Sequence, residues 1–375
     1  MKAELITDLG GIEPLEDDWR AFAELRGNGF VTPEWFRAWW AHRPEAISPL
    51  IAAVRRPDGD LAGVVPLVFD AQRRPKAIRF AGATWGDRFG PAARSEDEDA
   101  VAAAAVAAIG ERGLSRYMLD LDHVDAGASW WRRLHPGGRS ARIEQPQVET
   151  PWIDLQGLDW DSYIASRSRN FRQQLRQRER RIRERHEVAI RTATADTLEL
   201  DLAHFFSLHE RRWQSRGISS LKTPGVVGFL QDFSAAAMDR GWLRLRLLEV
   251  DGAPAAAFLG WHIGGAYAFY QSGFDPALAS LSVGTLLMAD TVREAITEGA
   301  IEFDMLIGDE AYKRRFTNSE REVQTVVLVG AMRPTRLLAI GEALARRHGR
   351  ALRDRAGVGR LTGALRRFLP TVDRF

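Results

Sequence analysis

The chain has 375 residues, 45% hydrophobic and 27% charged, a globular composition that suits two domains at roughly 150 residues each. With no cysteine it excludes disulfides, thiolate metal sites and a cysteine nucleophile. The net charge of +2 hides two basic segments, 167–185 and 333–375, set on an acidic remainder. These segments read as surfaces for nucleic acid or another polyanion, or as solvated faces of a chain in which Arg far outnumbers Lys.

The N-terminus lacks the charged-then-apolar pattern of a signal segment, and the longest apolar run, 100–109, is too short to span a bilayer. A cytoplasmic protein is expected. Residues 17–25 have a helical pattern, and Thr32-Pro33 supplies an N-cap and a first-turn proline for a helix through Trp40. Residues 50–54 and 62–69 read as strands around a hairpin turn at 57–60, with a further strand at 79–83. Ser95 and Glu98 make a candidate capping box ahead of the Ala-rich helix, and 117–121 follows as a strand. This first α/β unit is expected to span 1–150.

A second unit is expected over 151–330. It opens with a strand at 151–155 and one long helix, capped by Asp159 or Asp161 and running to about Glu187. Ile164, Phe171, Leu175 and Ile182 form its narrow apolar stripe. A strand at 188–191 and helices at 197–213 and 226–240 follow. Strands at 243–250, 255–262 and 266–272, separated by tight turns, form an antiparallel meander. A helix at 285–298, a strand at 301–306, a short helix at 311–316 and a strand at 323–329 complete the unit. The remaining 331–375 is read as a basic helical tail with scattered leucines, a candidate contact to an anionic membrane surface or to the body of the same chain.

Three motifs carry more than pattern: Tyr270-Gln271-Ser272-Gly273-Phe274-Asp275-Pro276, Leu281-Ser282-Val283-Gly284-Thr285-Leu286-Leu287, and 303–313 with Asp304, Gly308, Asp309, Glu310, Ala311, Tyr312 and Lys313. With Ser168–Arg172 and Leu208–Trp213 they resemble the CelD/BcsL-type acetyltransferase family, named for cellulose biosynthesis, and the element order of 151–330 resembles the GNAT acyltransferase fold. The N-terminal third is also similar, in 35–40 and 65–67. The resemblance implies an α/β (α+β) architecture of two tandem GNAT-like units, as in Fem-type transferases. Each would be a mixed, largely antiparallel sheet flanked by helices.

It also implies acyl-CoA, acetyl-CoA first, as donor. Ser282, Val283, Gly284 and Thr285 would cradle its pyrophosphate at a helix N-terminus, and Tyr270, Ser272 and Gly273 would line its pantetheine arm. Only Gly284 matches the usual GNAT phosphate-loop pattern, so acyl carrier protein and aminoacyl-tRNA stay open as donors. The resemblance places Tyr312 as general acid to the leaving thiolate, beside Lys313. Asp304 and Glu310 are the nearest candidate bases, Asp304 equally a structural carboxylate. No Gly-x-Ser-x-Gly elbow is present, so direct attack on a thioester is expected. His209, Arg212 and Trp213 share one helix face suited to a sugar or phosphate, or to plain packing, and Asp87 is a polar residue that could reach the cleft between the units. The scattered His argue against a metal site. The expected function is acyl transfer to an amine or hydroxyl of a sugar-linked or envelope precursor. The alternatives are an aminoacyl-tRNA-dependent transferase and a non-catalytic module for an anionic ligand.

Overall fold

The computed structural model describes residues 1–43, 47–73, 75–134, 141–145, 147–214, 219–308 and 310–329. The basic tail and Asp309 lie outside the described residues. Among them, fourteen strands join one mixed sheet. The first half supplies β1 (Lys2–Ile6), β2 (Ile47–Arg55), β3 (Leu61–Asp70), β4 (Ala77–Phe80), β5 (Ala92–Ala93), β6 (Met118–Asp125) and β7 (Ala141–Glu144). The second supplies β8 (Val148–Asp154), β9 (Val188–Thr192), β10 (Leu243–Val250), β11 (Ala253–Ile263), β12 (Ala266–Phe274), β13 (Glu302–Asp304) and β14 (Ser319–Val329). The spatial order is β1-β2-β3-β4-β6-β14-β8-β13-β12-β11-β10-β9, with β5 beside β3 and β7 beside β14. Helices α1 (Glu16–Leu25), α2 (Pro33–His42) and α3 (Glu98–Glu111) belong to the first half. The second carries α4 (Trp160–Ser166), α5 (Arg169–Arg183), α6 (Leu198–Trp213), α7 (Val226–Asp239), α8 (Val283–Thr297) and α9 (Lys313–Phe316).

The two halves repeat one topology. An antiparallel meander, β2-β3-β4 or β10-β11-β12, is followed by a helix, α3 or α8, and then by a strand parallel to the meander's last, β6 or β13. The strand that joins them is β14. It pairs antiparallel with β6 on one side and with β7 and β8 on the other, so the end of the described chain sits in the middle of the sheet. The core is equally continuous. Trp35 of α2 packs edge-on against Phe229 of α7 (4.7 Å) and Phe30 against Trp261 of β11 (5.3 Å), and Tyr270 donates to the Trp85 carbonyl at 2.8 Å. Burying such large rings is worth several kcal/mol each, so the halves form one body.

Two local expectations are corrected. The long helix predicted to begin near Asp159 is two helices. Asp159 caps the first by accepting from the Ser162 N–H (2.7 Å); Arg167 then leaves the helix to donate to the Phe316 carbonyl (3.1 Å), and Ser168 caps the second through the Phe171 N–H (3.2 Å). The expected capping box of α3 does not form. Ser95 Oγ accepts from Arg26 (2.5 Å), Glu98 pairs with the same guanidinium (2.8 Å), and the N-cap is Asp97 without a side-chain bond. The long-range ion pair outcompetes the local cap.

Candidate active site

Parallel pairing of β12 with β13 covers only Ala266–Ala268 against Glu302–Asp304, yet β12 runs on to Phe274. Beyond Asp304 the two strands therefore part. On the other edge of β12, Gln271 faces Leu259 and Phe269 faces Gly260, which leaves Tyr270 as the extra residue of a β-bulge. A cavity of about 340 Å³ opens at this gap, lined by Ser272, Gly273 and Phe274 of β12, by Ser282 to Thr285 at the start of α8, and by Tyr312.

The α8 N-terminus is built to stay open. Ser282 takes the left-handed conformation (φ +59°) and its side chain makes no cap bond, so no protein oxygen covers the first turn from that position. A Cβ added to Gly284 would meet nothing closer than the Phe274 ring at 3.5 Å. Gly273 is glycine for packing instead, since a Cβ there would stand 2.3 Å from the His209 backbone nitrogen.

Three guanidiniums line the same cavity: Arg178 of α5, Arg212 of α6 and Arg315 of α9. Arg212 donates to the Ser272 carbonyl (3.1 Å) and to Ser272 Oγ (2.5 Å), and its Nε is buried without a hydrogen-bond partner. Arg315 donates to Gln174 Oε1 at 2.6 Å. Burial, and then the like charge of Arg315, pull the Arg178 pKa below the usual guanidinium value. Like charges gathered at an open helix N-terminus are stabilised by an anion, and a phosphoanhydride fits that donor set. The equivalent place in the first half is closed to an anion. The first turn of α3 carries Glu98 and Asp99, and the rings of Phe80, Phe89 and Trp130 pack at 5.6 and 6.3 Å between centroids.

A second group of polar residues lies where β13 ends. Asp304 is buried; its Oδ1 accepts the Leu306 N–H (2.8 Å), and its Oδ2 lies 3.3 Å from Arg88 and 3.8 Å from Arg321. Lys313, also buried, donates to the Ile307 carbonyl and pairs with the exposed Glu310, both at 3.1 Å. Asp87 reaches across from the first half, and its Oδ2 accepts the Ile307 N–H at 3.3 Å. Burial raises the Asp87 pKa against the opposing pull of His123 and Lys313.

Of the residues named from sequence, Ser272, Gly273, Ser282, Val283, Gly284, Thr285, Arg212 and Tyr312 meet in the cavity. Asp304, Lys313, Glu310 and Asp87 form the neighbouring group. The Tyr270 ring points away, into the aromatic core between the halves. His209 is buried beneath β12; its Nε2–H donates to Gln271 Oε1 and its Nδ1 accepts from Ser219 Oγ, each at 3.1 Å. Trp213 packs against that imidazole at 6.0 Å. Sequence reasoning missed Arg178 and Arg315 as cavity cations. Both stand in Arg-rich stretches, where charge alone does not single out the residues that turn inward.

No group of His, Asp or Glu among the described residues is arranged to hold a metal ion, and no helix there is long and apolar enough to cross a membrane. Residues 169–314 match a family model described as an acetyltransferase (GNAT) domain. That match defines the class, an acyltransferase, with the GNAT likeness lying over 169–314. The whole described fold is similar to solved structures at low identity. FemX aligns at a TM-score of 0.61 and 11% identity, over 87% of this chain and 97% of that one. The C-terminal domain of a putative lysylphosphatidylglycerol synthetase from Agrobacterium fabrum aligns at 0.57 and 11%, over 88% and 96%. L-PGS from Bacillus licheniformis aligns at 0.52 and 12%, over 86% and 95%. No curated protein matches the chain.

Proposed function

We propose that this enzyme moves an acyl group, acetyl in the simplest case, from acyl-CoA to an amine or hydroxyl of a sugar-linked or cell-envelope precursor. The observation that carries the donor is the cavity where Arg178, Arg212 and Arg315 surround the open first turn of α8. The phosphates would sit on those groups, and the pantetheine arm would follow the unpaired edge of β12 to the gap above Asp304. The acceptor class rests on the resemblance to the CelD/BcsL-type family.

In this reading the acceptor attacks the thioester carbonyl directly, because no cysteine exists to form an acyl-enzyme. Tyr312 lines the donor cavity and protonates the departing sulfur. Asp304, committed to Leu306 and two guanidiniums, holds the end of β13 in place.

One feature favours a larger donor, aminoacyl-tRNA. A second cavity, of about 260 Å³, continues from the first through the shared Arg178 and Ser282 and adds Arg181 of α5. A thermal-shift comparison separates the two. Acetyl-CoA at 100 times its dissociation constant should add ~2.7 kcal/mol of stability. Stabilisation by tRNA, with none by acetyl-CoA or coenzyme A, would overturn the acyl-CoA reading in favour of the second.

A further inference from the structure

The first half closes its own copy of the donor site, yet it delivers two polar side chains to the second half's gap. Asp87 is one. The other is His123, a residue of β6. Opposite it, β14 pairs Gln324 with Val124 and then Val326 with Leu121, so Asp122 and His123 together face the single residue Thr325. This is a β-bulge, and His123 is its left-handed residue (φ +52°). His is among the few side chains found in that region, and such outliers cluster where a side chain must be aimed.

The imidazole is also fixed electronically. His123 Nδ1 lies 3.0 Å from the Gly86 carbonyl oxygen. A carbonyl only accepts, so Nδ1 carries the proton and the Nε2 lone pair is left as a base. Among the described residues Nε2 has no hydrogen-bond partner, and the ring is half-buried. Next to Gly86, Asp87 binds the Ile307 N–H, while Lys313 holds the Ile307 carbonyl. Asp87 and Lys313 thus clamp the peptide where β13 leaves the sheet, and His123 lies within electrostatic reach of Asp87.

Resting on the acyltransferase reading above, we infer that His123 is the general base of the reaction, supplied by the first half and oriented by the Gly86 carbonyl. The acceptor's lone pair forms the new bond to the thioester carbon, and its proton passes to His123 Nε2. The C–S bond breaks, the electron pair goes to sulfur, and sulfur takes the Tyr312 proton. Solvent returns a proton from the imidazolium to the phenolate, so the net products are the acylated acceptor and a free thiol. The groups facing Asp87 are His123 of β6, Lys313 of α9, Asp304 of β13 and Tyr270 of β12.

The test uses His123→Asn. Asn tolerates the left-handed backbone and keeps an N–H for Gly86, but it offers no base. Coenzyme A release from acetyl-CoA is followed with a thiol reagent, which reads only product because the chain has no cysteine. Water must give up a proton as it attacks and ethanolamine is an ammonium at neutral pH, so both serve as base-dependent acceptors. Hydroxylamine serves as a strong nucleophile that attacks as the free base and sheds its proton only after the bond has formed. The variant should lose ~10²–10⁴-fold with the first two, keep coenzyme A affinity, and approach the wild-type rate with hydroxylamine. Equal losses with all three acceptors, or no loss with any, would overturn the assignment. Nitrogen-15 NMR of the free protein gives a donor-independent check, with the variant identifying the resonance. It should show the proton of neutral His123 on Nδ1, and a proton on Nε2 instead would also overturn it. If the wild type binds no coenzyme A at all while the tautomer is as stated, the donor reading fails and not the placement of the base.

Discussion

Residues that the sequence assigned alike to the site have opposite surroundings in the structure, and His209 shows why. Burial pushes its pKa down to about 4, with the nearby Arg212 charge acting in the same direction and the Gln271 bond opposing. The imidazole is therefore neutral in the folded protein and ordinary, near 6.5, when unfolded. The unfolded chain binds the extra proton between those values, so stability is full above pH 6.5 and falls as the pH drops toward 4, by roughly 3 kcal/mol in all. Urea unfolding from pH 7 to 4.5 should show the wild type losing more than His209→Gln. Parallel curves would exclude His209 as the cause. Tyr312 is the opposite case, a side chain lining the cavity proposed for the donor. Tyr312→Phe should reduce turnover ~10²–10⁴-fold at unchanged coenzyme A affinity, measured by steady-state kinetics beside calorimetric titration. Sequence placed both residues on helices and assigned both to the site, Tyr312 as general acid and His209 as a substrate contact or plain packing. The i, i+4 spacing of His209 and Trp213 is the same whether that face meets a ligand or the underside of a strand.

At the scale of elements, α8 makes the proposed donor site and α3 shows what unmakes it. Placing Asp at position 284 adds a carboxylate to a first turn that has none, with room for the side chain. Gly284→Asp should keep its melting temperature within a few degrees and lose coenzyme A binding. Gly273→Ala is the contrasting control. Its Cβ would press on the α6 backbone, so it should lower stability by about 1–3 kcal/mol in denaturant titration. The meander, the helix and the strand that follow one another from β10 to β13 were legible because alternation and turn residues are local signals. The break between α4 and α5 was not. The carbonyls of 316 and 317 that draw Arg167 out of the helix lie about 150 residues away in sequence. The same blindness applies to the gap between β12 and β13, which is an absence of pairing and leaves no pattern in either strand.

For the whole molecule the deciding element is β14. Sequence assigned 319–329 to the second unit by position, but its hydrogen bonds serve both halves. Residues 1–150 expressed alone should therefore fail to form a stable soluble domain, because β6 and β7 lose the strand between them and expose an apolar edge. A cooperative unfolding transition in that fragment would refute this. Cutting after Gly330 leaves β14 whole, so that truncation should keep its fold and its acyl transfer. If the basic tail serves an anionic membrane, the cut protein should also cease to sediment with phosphatidylglycerol vesicles at low salt, while the full chain binds and is released as salt screens the charges.

The central position of β14 also sets a timetable. Asp120 and its partner Val327 are about two hundred residues apart along the chain. At a ribosomal pace of roughly 5–20 residues per second, β6 waits on the order of ten to forty seconds for the strand that covers it. The first half thus emerges with an apolar sheet edge and no means of closing it. During synthesis this protein should be a client for chaperones that shield such edges, and a stalled ribosome anywhere before Ser319 would release a sticky, unfinished sheet.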